Sequence, residues 1–413
     1  MSIFSAVTAL SAVIRVRRLY FMTPFYFLSA WLTGELAFVH LCWQLLFTVL
    51  FVLLGGLQTE SGQQGLLIFA CSWIGLLYLH RQSMDTAVTL SESLHQGLGD
   101  NYRRDIPAER LPVLRDQINS QEWMRPFHMK REGVVVHRNI PYGDHGERNL
   151  LDVYQPSTPR QGGNPEAGFP VLLQVHGGAW MIGNKQQQGL PLMYHLAQRG
   201  WLCVACNYRL SPKEVFPAHI IDVKKTIAWI RDSAEQYGGN ADFLAITGGS
   251  AGGHLSSLAA LTPNKAEWQP GFEQADTSIS AAVPFYGVYD LLDRDNIRGA
   301  MSMESTLEKY VFKTSKASDA DHWDDASPLS HVSATAPPMF VLQGSHDSLV
   351  WVEEARKFVA SLREVSEQAV AYAELAGAQH AFEIFHSVRT DHTVNAVTDF
   401  LEWSYARCSS SVL

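Results

Sequence analysis

The 413-residue sequence predicts an α/β fold, in which a mostly parallel sheet is flanked by helices and follows an apolar N-terminal segment. From about residue 130, apolar runs of strand length alternate with helical patterns, which is typical of a mostly parallel sheet covered on both faces. Residues 1–80 differ, because only five of them are charged. We therefore expect the two regions to face different solvents.

The predicted elements follow the hydrophobic patterns of the chain in order. The runs with strand character cover residues 133–136, 150–154, 171–175, 201–206, 243–247, 279–285, 339–342 and 370–375. The helical patterns cover residues 190–199, 218–237, 251–261, 351–362 and 392–407.

The same patterns divide the chain into three parts. Residues 1–81 are expected to be a membrane anchor with transmembrane helices, 82–129 a helical linker or cap, and 130–413 the α/β domain. Within the last part, 288–335 separates two core strands and is long enough to form a cap insertion.

Two apolar runs predict membrane-spanning helices. Residues 36–54 carry no formal charge over 19 positions, and as a helix they would span about 28 Å, close to the hydrocarbon thickness of a bilayer. Residues 66–79 form a second, slightly shorter run. A third run, 19–33, contains Pro24 and is expected either to lie in the interface or to cross.

Basic residues suggest the orientation of this anchor. Arg15, Arg17 and Arg18 precede the run 19–33, and Arg81 follows the run 66–79. The link 58–64 has neither Lys nor Arg. By the positive-inside rule, a hairpin of two spans places both ends in the cytoplasm. If 19–33 also spans, the α/β domain lies on the other side.

Charge and cysteine content exclude some functions. The net charge of −9 argues against nucleic-acid binding, which needs a basic surface. Cys203 and Cys206 form a CxxC, but they sit in an apolar run that reads as a buried strand. Nothing resembles a disulfide framework, so a reducing compartment is weakly favoured.

The strongest functional motif is GxSxG at residues 248–252, directly after one predicted strand and before a predicted helix. A serine on such a sharp turn needs small neighbours, and the turn exposes its hydroxyl. Ser250 is therefore the candidate nucleophile, and the N–H of Ala251 would face the reacting oxygen.

A second motif, His-Gly-Gly at residues 176–178, follows another predicted strand. The N–H groups of Gly177 and Gly178 are candidate donors to the oxyanion of a tetrahedral intermediate, where each such donor contributes about 3–4 kcal/mol. The motif lies about 70 residues before the nucleophile, where α/β-hydrolases carry this element.

Chain order supplies the remaining candidates, because a triad on this fold runs Ser, Asp or Glu, then His. Asp347 and His380 follow later strands, at the carboxyl ends where parallel sheets place their sites. The competitors are weaker: His254 would begin a helix, Glu374 lies inside a strand, and Glu383 follows His380.

Five segments together resemble the hormone-sensitive-lipase-like group of α/β-hydrolase esterases and lipases, which includes bacterial carboxylesterases and prenylcysteine methylesterase. They are HGGAW, NYRLSP with Asp222, GGSAGGH, the HD loop and GAQHAF. The resemblance implies Ser250 as nucleophile, His380 as base and Asp347 as its orienter, with no metal or organic cofactor. One departure is Gly249, where many members carry Asp.

The resemblance predicts a membrane-anchored carboxylesterase or lipase acting on small-molecule or lipid esters of short to medium chain length. Trp180, Met181, Phe285 and Tyr286 are candidates for apolar pocket walls. Two alternatives remain open: an amidase, deacetylase or formamidase on the same triad, and a catalytically silent receptor.

Overall fold

An eight-stranded sheet forms the centre of the computed structural model, which describes residues 1–15, 23–111, 114–157, 168–298 and 303–410. The strands are β1 Val134–Pro141, β2 Leu150–Pro156, β3 Phe169–Val175, β4 Leu202–Cys206, β5 Gly239–Gly249, β6 Ala281–Phe285, β7 Met339–Gly344 and β8 Val370–Leu375. All eight coincide with runs that the sequence predicts as strands.

The strand order is β1-β2-β4-β3-β5-β6-β7-β8. The β1–β2 and β2–β4 pairs are antiparallel, and the other five pairs are parallel. Parallel register brings the carboxyl ends of β3, β5 and β6 to one edge, since Val175 pairs with Gly248 and Gly249 with Phe285. The predicted mostly parallel sheet is thus confirmed.

Thirteen α-helices of very different length occur in the described parts of the chain. They are α1 Ser2–Val13, α2 Thr23–Glu35, α3 Ala37–Leu53, α4 Glu60–Met84, α5 Thr86–Leu98, α6 Ser120–Trp123, α7 Leu190–Ala197, α8 Ala218–Ser233, α9 Ala251–Leu261, α10 Glu304–Thr306, α11 Ala320–Asp325, α12 Val352–Val365 and α13 Val388–Ser410.

Helices cover both faces of the sheet because successive side chains of a strand point to opposite sides. Val171 and Leu173 of β3 pack in one buried apolar cluster with α8, α9 and α12. Leu172 belongs to the other cluster, with α5, α7 and α13. Helix α5 therefore covers the sheet, although the sequence places it in the segment expected to be a linker or cap.

The apolar N-terminal region forms a helical layer of its own. Ala9, Ala30 and Leu76 pack together from α1, α2 and α4, while α2 and α3 meet at 84°. Helix α4 continues to Met84, past the boundary expected at residue 81. The run 19–33 begins outside the described residues, and Arg17 and Arg18 also lie there.

By length and composition, the helical stretch 60–98 is suited to cross a membrane, and the bent α2–α3 pair can count as a second, broken crossing. These two stretches are weaker evidence for a membrane anchor than the expected hairpin of two straight spans would be. The break falls after Glu35, whose carboxylate pairs with Arg389 of α13 and accepts a hydrogen bond from Ser387. A buried ion pair thus ties α2 to the α/β domain.

A second buried ion pair ties the segment before β1 to α13. Glu402 accepts hydrogen bonds from both Nε and Nη2 of Arg110, and from Trp201 Nε1 at 2.9 Å. Arg110 also donates to the carbonyl of Arg199 at 3.0 Å. Arg110 and Glu402 are almost fully buried, so neither charge is solvated by bulk water.

Glu402→Gln should lower the free energy of unfolding by about 3–5 kcal/mol, because it removes the carboxylate that is paired with the buried guanidinium of Arg110. Equilibrium urea unfolding of the detergent-solubilised protein measures this change. Glu364→Gln on exposed α12 surface is the control and should stay within about 0.5 kcal/mol of the parent. Equal stability of the two variants would contradict the assigned pair.

Candidate active site

Ser250 occupies a strained turn between β5 and α9. Its φ of 60° and ψ of −121° are rare for a residue with a side chain, and its N–H donates to the carbonyl of Phe285 at 3.0 Å. A Cβ at Gly252 would lie 2.1 Å from the carbonyl oxygen of Val175. The glycines therefore let β3 and the turn approach closely, as the motif predicts.

His380 and Asp347 are in direct contact. His380 Nδ1 donates to Asp347 Oδ2 at 2.7 Å, and both side chains are buried. The remaining acceptor sites of the carboxylate are filled by the N–H groups of Leu349 and Val350, each at 2.8 Å, and by Gln343 at 3.1 Å. With its hydrogen on Nδ1, the imidazole has an acceptor at Nε2.

Ser250 and His380 line the same cavity, which has a volume of about 350 Å³. The structure thus brings the predicted nucleophile and base to one space, while Asp347 lies behind the histidine. The other lining residues are Thr23, Pro24, Ala179, Trp180, Val288, Arg298, Met303, Thr306, Ser348, Leu349, Val350 and Trp351.

The glycine loop after β3 departs from expectation at one position. The N–H of Gly177 donates to Gln188 Oε1 at 2.6 Å, so this predicted oxyanion donor already has an acceptor. Gly178 has a φ of 115°, and Ala179, with a φ of 52°, lines the cavity. The part of this loop that lines the cavity therefore begins at Ala179, two residues after the predicted donor Gly177.

Only one of the four predicted pocket walls reaches the cavity among the described residues, and that is Trp180. Phe285 and Tyr286 do not line the cavity, and both pack in the buried apolar cluster that includes Leu172. Met181 is half-buried and does not line the cavity either. Walls come instead from the loop after β7, including Leu349 and Trp351.

The cap also differs in origin from the sequence prediction. Thr23 and Pro24 of α2 line the cavity, and the Phe27 ring meets His380 edge-on with centroids 6.2 Å apart. The region 288–335 contributes Val288 and Met303 to the cavity lining. In the described part of 82–129, no residue lines the cavity.

Two other candidates have structural partners. Asp222 accepts hydrogen bonds from the N–H of Arg209 at 2.8 Å and from its guanidinium, so its contacts are structural. His254 accepts from Trp180 Nε1 at 3.1 Å and contacts the carbonyl of Ala326 at 2.8 Å. Burial lowers the pKa of His254 to about 4, so it is neutral and holds Trp180 in place.

One group of three potential metal ligands occurs in the described ranges: Glu122, His386 and Asp391. His386 Nδ1 contacts Asp391 at 2.5 Å, and its Nε2 contacts the guanidinium of Arg131 at 3.0 Å. Both ring nitrogens of His386 therefore have partners, and the guanidinium of Arg131 supplies the positive charge. We interpret this arrangement as an ion-pair network.

Gly249 has a steric explanation for its departure from the family pattern. A Cβ at this position would lie 2.6 Å from the hydroxyl oxygen of Tyr286. An aspartate side chain would need the space that the tyrosine occupies. Sequence reasoning missed this, because Tyr286 follows a different strand.

Comparisons with known proteins identify the family of the chain. Residues 151–362, about half of the chain, match the family BD-FAE. The probable carboxylic ester hydrolase LipM of Mycobacterium tuberculosis is 47% identical over 342 residues, which cover 82% of this chain and 78% of LipM.

More distant proteins share the fold. The isoprenylcysteine alpha-carbonyl methylesterase ICME of Arabidopsis thaliana is 27% identical over 57% of this chain and 54% of its own. The structure of a truncated carbohydrate esterase from gut microbiota superposes with a TM-score of 0.57 at 22% identity, covering 67% of this chain and 99% of that one. The chain therefore belongs to the BD-FAE family of α/β-hydrolases and is a carboxylic ester hydrolase.

Proposed function

We propose that the protein is a membrane-attached serine carboxylesterase that cleaves short- to medium-chain esters through Ser250, His380 and Asp347. The observation that carries this proposal is the joint position of Ser250 and His380 on one cavity, with Asp347 bound to the far side of the imidazole. This arrangement suits nucleophilic catalysis with a positioned base.

The reaction would begin when His380 Nε2 takes the proton of Ser250 as the hydroxyl oxygen attacks the ester carbonyl. Asp347 holds the Nδ1–H tautomer and stabilises the imidazolium that forms. Collapse of the tetrahedral intermediate returns the proton to the leaving alcohol and leaves an acyl-enzyme. Water then attacks the acyl carbon with His380 again as base.

The oxyanion would be stabilised by backbone N–H groups around the cavity. Ala251 is the first residue of α9, so its N–H belongs to a helix N-terminus, which favours negative charge. Gly178 and Ala179 supply the second side of the hole, because Ala179 lines the cavity and the N–H of Gly177 is bound by Gln188.

Cavity size supports the chain-length range. A volume of about 350 Å³ has to hold both the acyl chain and the alcohol of the ester. Its apolar side chains include Val288, Met303 and Leu349, while α2 closes one side. A long acyl chain would have to displace this helix or leave through the rim.

Membrane attachment is supported by the outer surface of the N-terminal helices. Leu46, Leu50 and Leu53 of α3 are 59%, 46% and 76% exposed. On α2, Phe25 and Leu28 are also exposed, at 70% and 48%. Apolar surface of this extent is typical of contact with a membrane or a partner, and the low charge of residues 1–80 favours a bilayer.

Orientation follows from the flanking cations. Arg15 and Arg81 lie at the two ends of the apolar region, so the α/β domain would face the cytoplasm. A site beside this anchor can receive ester substrates that are dissolved in the lipid.

Ser250→Ala should reduce ester hydrolysis by about 10⁵–10⁶-fold, because the nucleophile of the acyl-enzyme is removed. Turnover of p-nitrophenyl butyrate and labelling by a fluorophosphonate probe measure the loss. Ser348→Ala, on the same cavity, is the control and should still be labelled. Labelling that persists in Ser250→Ala would move the nucleophile elsewhere.

The acyl-chain preference should peak between roughly four and ten carbons. Each CH₂ that enters an apolar wall adds about 0.8 kcal/mol, or roughly fourfold in kcat/KM, until the cavity is full. A p-nitrophenyl ester series from acetate to palmitate in detergent measures this profile. A steady rise to palmitate would indicate an open groove, and cleavage of anilides without esters would favour an amidase.

Membrane retention should depend on the exposed face of α3. Lysines at positions 46, 50 and 53 should release most of the protein from membranes under alkaline carbonate washing, since a lysine at the centre of a membrane helix costs about 2.5–3.5 kcal/mol. The control places lysines at Val135 and Ile182, which are exposed on the α/β domain. Equal release of both variants would contradict attachment through α3.

A further inference from the structure

A second carboxyl group lies close to the catalytic histidine. The ring of Tyr286 packs against the imidazole of His380 with centroids 4.4 Å apart, and its hydroxyl donates a hydrogen bond to Glu383 Oε2. All three side chains are buried. Tyr286 thus connects Glu383 to the face of the imidazole, whereas Asp347 binds its edge.

Two backbone features, at Tyr286 and at Gly249, position this tyrosine. Tyr286 has a φ of 36°, and its N–H donates to the carbonyl of Leu342 at 2.7 Å. The missing side chain of Gly249 provides the space for its hydroxyl, since a Cβ there would lie 2.6 Å away. The strained conformation and the glycine both place the hydroxyl between the nucleophile turn and Glu383.

On these observations, and on the triad of the proposed function, we propose that Glu383 is a positioning residue for His380. Through Tyr286 it fixes the plane of the imidazole. Its negative charge, when present, stabilises the imidazolium that forms in both halves of the reaction. Glu383 touches neither substrate nor the reacting atoms.

The surroundings of Glu383 place its titration near neutral pH. Burial raises its pKa to about 7, while Tyr286 and His380 favour the charged form. Glu35 on α2 also faces it and opposes ionisation, and that carboxylate is paired with Arg389 of α13. Burial raises the pKa of Tyr286 well above its usual value, Glu383 and then Asp347 add to this effect, and the tyrosine therefore stays protonated.

The sign of the effect follows. At pH values below this pKa the neutral form of Glu383 predominates, and Asp347 is then the carboxylate in contact with the imidazole. Above pH 7 it becomes negative, so the imidazolium gains a second counter-charge and kcat/KM should rise. Glu383→Gln keeps the size and the hydrogen bond to the tyrosine, but it removes this charge at every pH.

The experiment measures kcat/KM for p-nitrophenyl butyrate from pH 5.5 to 8.5 with the full-length protein in detergent. The ratio of parent to Glu383→Gln should be near one at pH 5.5 and should reach roughly tenfold at pH 8.5. Tyr286→Phe keeps the ring but removes the hydrogen bond that favours the charged form of Glu383. The ratio of kcat/KM for Tyr286→Phe to that for Glu383→Gln should therefore have its midpoint at a higher pH than the ratio for the parent.

Glu374→Gln is the matched control, because Glu374 pairs with Arg356 on the surface at the end of β8. Its ratio should be flat and near one. A ratio for Glu383→Gln that is independent of pH would overturn the proposal, since a merely structural loss affects all pH values equally.

Infrared difference spectra of the parent against Glu383→Gln provide a readout that does not need turnover. A protonated carboxylic acid band should disappear with a midpoint near pH 7. Its absence at pH 5.5 would overturn the proposal even if esters are cleaved. If the parent shows no ester turnover that depends on Ser250, the proposed function is rejected. The infrared titration still tests Glu383 in that case.

Discussion

The close approach of the carboxyl ends of β3 and β5 is the constraint on which the active site depends. At the end of β5 the chain must turn into α9 within one residue, and no side chain fits at Gly248 or Gly252, because the carbonyl of Val175 lies next to both. This contact between β3 and β5 brings the loop after β3 beside Ser250. The parallel register of β6, β7 and β8 then delivers Tyr286, Asp347 and His380 to the same edge of the sheet.

The N-terminal helices belong to this site as much as to any membrane. One face of α2 presents Phe27 to His380 and Trp31 to Phe385, and the helix ends at Glu35, which is paired with Arg389. The opposite face is apolar and exposed. A helix with two apolar faces and one buried carboxylate is therefore both a wall of the catalytic cavity and part of the outer surface.

Local signals made most of the fold and the core of the site predictable. Strand runs and the glycines at the nucleophile turn are properties of short segments, and the order of Ser250, Asp347 and His380 can be read directly along the chain. The corrections concern contacts between distant segments. The acceptor of the Gly177 N–H is a glutamine eleven residues later, and the side of the sheet that Tyr286 faces depends on the packing of α13. No periodicity within 1–81 could reveal that Phe27 meets a histidine made near the end of the chain.

The pairing of Glu35 with Arg389 also has a consequence for biosynthesis. The two residues are separated by 354 positions, so at about 5–20 residues per second the ribosome needs roughly 20–70 s to make the arginine after the glutamate. During that interval the first helices have left the ribosome with a carboxylate that lacks its partner. The nascent chain must therefore keep α2 undocked until α13 emerges, so the wall that α2 contributes to the cavity is completed late in folding.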